Sequence, residues 1–85
     1  MKFGIERKLN NYNQEKLIIQ VRKWWYLNWR DLYWGDEKYY EFYQVEFPID
    51  RYLQAKDFIK ELEENQLDQR RYYTFTKIFG NVFRL

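Results

Sequence analysis

A small α+β domain, an antiparallel sheet of four strands with a short fifth and one helix packed over one face, is what three features of this sequence predict. The chain has 85 residues, a length that holds one hydrophobic core and is read as a single domain over residues 1–85. Apolar residues recur with period two on either side of a central segment. Between those runs, after Pro48, the period changes to that of a helix.

The first run is Lys2 to Leu9, where Phe3, Ile5 and Leu9 alternate with Lys2, Glu6 and Lys8. That is the signature of a half-buried strand. Asn10 to Gln14, rich in Asn, reads as a turn. From Leu17 to Arg30 the odd positions are apolar apart from Lys23, and the even positions mix aromatic and basic groups, which predicts one long strand. Gly35-Asp36-Glu37-Lys38 reads as a turn, and Tyr39 to Phe47 as the partner strand of a hairpin, ended by Pro48, which cannot donate to a ladder.

Beyond Pro48, Tyr52, Ala55, Phe58, Ile59 and Leu62 recur at helical spacing with charges opposite. They predict a helix over 51–64, N-capped by Asp50 and closed by Asn65-Gln66. The segment from Arg71 to Phe79 alternates Tyr73, Phe75 and Phe79 against Tyr72, Thr74 and Thr76, and Gly80-Asn81 turns it into a last strand, Val82 to Leu85. The order is β-β-β-α-β with that short addition. The predicted core is Phe3, Ile5, Leu17, Ile19, Val21, Trp25, Leu27, Val45, Phe47, Phe58, Ile59, Leu62, Tyr73 and Phe75.

Composition excludes more than it establishes. The chain holds no Cys, His or Ser, which removes the usual side chains of thiol, hydroxyl and imidazole catalysis and of zinc coordination. No disulfide can brace it, which suits a cytoplasmic setting. Aromatic residues make up 24% of the chain, whereas Leu, Ile and Val together number 17. Rings that each bury roughly 150–250 Å² are one way for a short chain to reach enough apolar burial. No segment has the ~20 apolar residues of a membrane span, and no cofactor or metal motif is present. Residues with AT-rich codons outnumber those with GC-rich codons 37 to 12, a skew that points to an AT-rich genome.

Net charge is +2, unevenly spread: +5 over residues 1–30, −7 over 31–69 and +4 over 70–85. On the even face of the expected long strand lie Arg22, Trp24, Tyr26 and Arg30, with Tyr33 and Trp34 at the adjoining hairpin end and Tyr72, Thr74, Thr76 and Arg70-Arg71 as neighbours. Rings interleaved with guanidinium groups suit two kinds of ligand. Trp, Tyr and Arg dominate protein-binding hot spots, and the same groups stack on unpaired bases and meet phosphate. The expectation is a non-enzymatic binding module, monomeric or a homodimer, docking on a host protein or nucleoprotein as a small inhibitor or adaptor. Single-stranded nucleic acid on the same face is the alternative. Length and codon skew are shared with phage and mobile-element products that block a host machine, anti-CRISPR proteins among them, an analogy of class and size only.

An acidic residue with Lys two positions later, a spacing met in nucleases, occurs at Asp36-Glu37-Lys38 and Glu6-Arg7-Lys8. The spacing is common by chance in so charged a chain, and a hairpin tip holds a metal poorly. Incubation of DNA or RNA with the protein and Mg²⁺ or Mn²⁺ is therefore expected to give no turnover; cleavage abolished by Asp36→Ala or Glu6→Ala would contradict this.

Overall fold

The computed structural model describes residues 1–23, 28–75 and 82–85. The first two period-two runs form β1 (Lys2–Leu9) and β2 (Glu15–Arg22), antiparallel with Ile5 opposite Ile19 and Phe3 opposite Val21. Asn10 makes the reversal between them. Its Oδ1 accepts the backbone N–H groups of Tyr12 and Gln14, each at 2.9 Å, and Asn13 takes the left-handed conformation that Asn tolerates, φ 60°. The buried Asn10 amide also donates to the Glu46 carboxylate at 2.9 Å, which ties the turn to a strand 36 residues away.

The next strands are short: β3 (Arg30–Asp31), β4 (Tyr33–Asp36), β5 (Glu41–Gln44) and β6 (Glu46–Phe47). The long strand expected over 17–30 is therefore divided. Gln20 faces Asp31 and Val21 faces Arg30 in an antiparallel pairing, so chain direction has reversed by Arg30. Alternation persists on both sides of that reversal, which is why periodicity alone runs through it. The expected core residues Trp25 and Leu27 lie outside the described residues.

Leu32, between β3 and β4, and Val45, between β5 and β6, are where the sheet forks. Leu32 N–H donates to Ile19 O at 2.9 Å, Val45 N–H to Leu32 O at 2.9 Å, and Ile19 N–H to Val45 O at 3.1 Å. Each of three chain segments thus donates to the next in a closed ring. The β4–β5 hairpin leaves the edge of β2 at this point, while its two stems, β3 and β6, both stay paired to β2. The hairpin expected between the long strand and 39–47 is accordingly local, with its turn at Glu37–Tyr40 and Tyr40 at φ 52°. Gly35 is in β4 rather than in that turn. A Cβ there would lie 2.0 Å from Glu41 O, so only glycine lets β5 approach.

Helix α1 (Tyr52–Glu63) begins behind Arg51, not Asp50, and no side chain caps it; instead Arg51 N–H closes a turn onto Pro48 O at 2.9 Å. Its C-terminus ends as predicted at Asn65-Gln66. Asn65 adopts φ 57°, its N–H donates to Leu62 O and Gln66 N–H to Glu61 O, the paired bonds of a left-handed helix stop. A 3-10 turn at Gln69–Arg71, capped by Asp68, leads into β7 (Tyr72–Phe75), which pairs antiparallel with β4 and with β8 (Val82–Arg84). The proposed Gly80-Asn81 turn lies outside the described residues.

The fold is a small α+β arrangement of antiparallel sheets, β1-β2-β3 with β6 also on β2 and β5-β4-β7-β8, with one α-helix among the described residues. The helix covers a core of Leu17, Ile19, Val21, Leu32, Ala55, Leu62 and Tyr72, bordered by Phe3, Ile5, Val45, Phe47, Phe58 and Ile59. Tyr72, expected outside, is inside, its ring 5.8 Å from Phe58. Tyr73 and Phe75 project to the opposite face, where Tyr73 is buried against Phe42. Both faces of β7 carry aromatic residues, so alternation could not tell them apart.

Truncating the fully buried Leu62 to Ala is expected to cost about 2–5 kcal/mol in denaturant unfolding, while Glu63→Ala, one residue on and exposed, stays within about 0.5 kcal/mol. Gly35→Ala should lose about 1–3 kcal/mol or more, because the clash is with backbone.

Candidate functional site

The pleat assigns each expected site residue to a face. Facing residues of paired strands project to the same side. Arg30 stands opposite Val21 and so belongs to the helix side, whereas Arg22, next to Val21 in β2, belongs to the other. The single aromatic and basic stripe expected from Arg22 to Arg30 is therefore split. Its central residues, Trp24 and Tyr26, lie outside the described residues.

On the side away from the helix, Arg22 places its guanidinium 5.0 Å from the ring centre of Trp29. That indole lies across Gly4, where a Cβ would stand 3.2 Å from the ring. Beside this pair, Asp31 gathers three donors: Lys8 Nζ at 2.7 Å and Gln20 Nε2 at 3.1 Å on Oδ1, and Gln44 Nε2 at 2.9 Å on Oδ2. Gln20 also donates to Glu6 at 2.6 Å. These groups satisfy one another within the chain and bind β1, β2, β3 and β5 together on a face whose one fully buried aliphatic residue among those described is Ile18. Glu6 is thus engaged in a lattice of side chains, and Asp36 accepts Lys38 N–H at 2.8 Å to shape the hairpin turn. Among the described residues, no three Asp or Glu side chains converge as a metal site would require.

Tyr33, expected as an anchor, is half-buried in an edge-to-face aromatic cluster on this same side. Its ring lies 4.7 Å from Phe75, and Phe42 lies 5.0 Å from Tyr73, 5.2 Å from Phe75 and 5.3 Å from Tyr40. Such geometry stabilises the second sheet without help from the helix.

Trp34 is presented outward. It projects to the helix side of β4 beyond the reach of the core, 41% exposed, next to Tyr43 at 56% with ring centres 6.3 Å apart. The Arg71 guanidinium lies 5.0 Å over the indole, and its Nε donates to Gly35 O at 3.2 Å. Arg71 is thereby held by its Nε bond and its stack on the ring, and the Trp34 ring is pre-set between Tyr43 and a cation. Arg70 points elsewhere, into the Asp68 carboxylate at 3.0 Å. Trp34 and Arg71 are among the residues the sequence singles out, whereas Tyr43 and Trp29 are not. Tyr43 follows from register, nine residues from Trp34 across the hairpin. Nothing local marks Trp29, which shares its parity with the core residues before it.

Burial pushes the Tyr72 phenol above its ordinary value, helped by the nearby Glu61 carboxylate. A raised pKa favours the neutral phenol in the folded chain, so this contribution is whole below pH 10 and is lost as pH climbs through the folded value. In the opposite sense, the hydrogen bond from Arg7 holds the Glu15 carboxyl low, and that from Arg70 does the same for Asp68. Both pairs are exposed, and their effect is present at neutral pH and fades as acid protonates the carboxyls.

Comparison of the chain with protein-family models, with curated proteins and with solved structures finds no match.

Unfolding free energy is expected to decline as pH rises above 10, and Tyr72→Phe should flatten that decline; an unchanged alkaline limb in the Phe variant would show that Tyr72 is not its source.

Proposed function

We propose that this chain is a non-catalytic module that docks on another protein, as a small inhibitor or adaptor, through the surface of Trp34, Tyr43 and Arg71. The observation that carries the reading is the pre-set Trp34 ring, exposed yet fixed by the Arg71 guanidinium at 5.0 Å. Exposed aromatic rings cost little entropy to bury when already ordered, and Trp, Tyr and Arg are the residues on which binding energy concentrates. Asp36 and Glu41, paired across the same hairpin face, supply a polar rim.

A second reading, single-stranded nucleic acid, is favoured by the other guanidinium and indole pair, Arg22 over Trp29. A base stacks on such a plane while the cation meets phosphate. The two pairs occupy different faces, so substitutions separate the readings.

The test is a nuclease-treated pull-down from a low-GC bacterial lysate, followed by titration of a labelled oligonucleotide at two salt concentrations. A stoichiometric, nuclease-resistant partner whose affinity falls at least tenfold (about 1.4 kcal/mol) with Trp34→Ala or Arg71→Ala is the expected result. Steeply salt-dependent oligonucleotide binding that is lost with Trp29→Ala and untouched by Trp34→Ala would overturn it in favour of nucleic acid.

A further inference from the structure

Antiparallel pairing dictates which backbone groups of β1 face outward. Both polar backbone groups of Ile19 are spent on the fork, its N–H on Val45 and its carbonyl on Leu32. In an antiparallel strand the N–H and C=O of one residue point the same way. Ile19 therefore turns its groups away from β1, and Ile5, its facing residue, turns its own away from β2. By alternation Phe3 and Arg7 do the same. Among the described residues β1 pairs only with β2, so Phe3, Ile5 and Arg7 present a ladder of free donors and acceptors along one edge.

A groove of about 370 Å³ runs beside that edge, between β1 and α1. Phe3, Ile5, Tyr52 and Ile59 give it apolar walls, and Lys56 and Lys60 stand on its helix side against a single acid, Glu63. Neither lysine ion-pairs with a described residue; Lys56 rests 5.8 Å from the Tyr52 ring centre. A strand laid along β1 would send every second side chain into this groove.

We infer that the outer edge of β1 takes up an extended, acidic segment of a partner protein as an added strand. Alternate residues of that segment would set apolar side chains on Phe3, Ile5 and Ile59 and a carboxylate against Lys56 and Lys60. This is strand addition, in which main-chain bonds provide affinity and groove contacts provide selectivity. Charge decides against a second copy of the chain as occupant. β1 itself carries Lys2, Arg7 and Lys8 against Glu6, and antiparallel self-pairing about Ile5 would set Lys2 opposite Lys8. The site is distinct from the Trp34 surface and does not depend on it.

The experiment is panning of a displayed library of eight-residue peptides on the intact protein, then affinity measurement with the enriched peptides in synthetic form. Enrichment of apolar residues and an Asp or Glu at i, i+2 spacing, all on the one face of the strand that enters the groove, is expected. Binding should weaken at least tenfold in Arg7→Pro, which removes one outward N–H from an exposed position, and in the double variant Lys56→Glu with Lys60→Glu, both retaining the wild-type circular dichroism spectrum and melting temperature. Amide exchange at Ile5 should slow when peptide is bound. No enrichment, or peptides that bind both variants as well as the wild type, would overturn the inference. So would a concentration-dependent dimer dissolved by Arg7→Pro, since a second copy would then hold the edge. Unchanged peptide binding in Trp34→Ala separates this site from the proposed docking surface.

Discussion

Three backbone hydrogen bonds in a ring, Leu32 to Ile19, Val45 to Leu32 and Ile19 to Val45, are the constraint on which the rest of this structure depends. They satisfy the backbone at the point where the hairpin leaves the two-stranded ribbon. With them, β3 and β6 both remain on the edge of β2 while β4 and β5 diverge and β4 pairs with β7. Buried amides and carbonyls demand partners, and at a fork no ordinary ladder can supply all of them; the ring does. Side chains of the same three residues enter the helix-covered core, Ile19 and Leu32 with no exposed surface. Burial keeps water from competing for the ring, and the ring keeps those side chains at the centre of the core.

The fork also explains how so aromatic a chain distributes its rings. On the helix side Phe3, Phe47, Phe58 and Tyr72 complete a largely aliphatic core. On the other side of the diverging sheet Tyr33, Phe42, Tyr73 and Phe75 make a cluster of their own in edge-to-face contact. Between the two, the Asp31 carboxylate with Lys8, Gln20 and Gln44 joins the ribbon to the hairpin through polar bonds. Trp34 and Tyr43 lie outside both clusters at the surface, with Arg71 over the Trp34 ring.

Much of this is legible in the sequence, for identifiable reasons. β1, the Asn10 turn, the start of β2 and α1 have clean periods and strong local signals, and the left-handed stop at Asn65 is written in its residue type. The strand reversal before Arg30 is not legible, because alternation of bulky residues reads alike in one long strand and in two antiparallel ones. That single ambiguity undoes the proposed stripe, since reversal places Arg22 and Arg30 on opposite faces. Gly35 reads as a turn residue, yet its role is to admit β5, a tertiary requirement that local chemistry does not announce. The faces of β7 are ambiguous for a further reason: Tyr72 and Tyr73 are the same residue type, and both are buried.

Native-state hydrogen exchange at the amides of Ile19, Leu32 and Val45 tests the central claim most directly. Local openings in proteins span free energies from near zero to that of global unfolding, and cooperative units share one value and one denaturant dependence. If the ring organises the fold, all three amides exchange only through global unfolding, with the same protection and the same denaturant slope. Exchange of Leu32 and Val45 at markedly lower free energy than Ile19, with β4 and β5 opening as a hairpin while β1 and β2 stay protected, would contradict it.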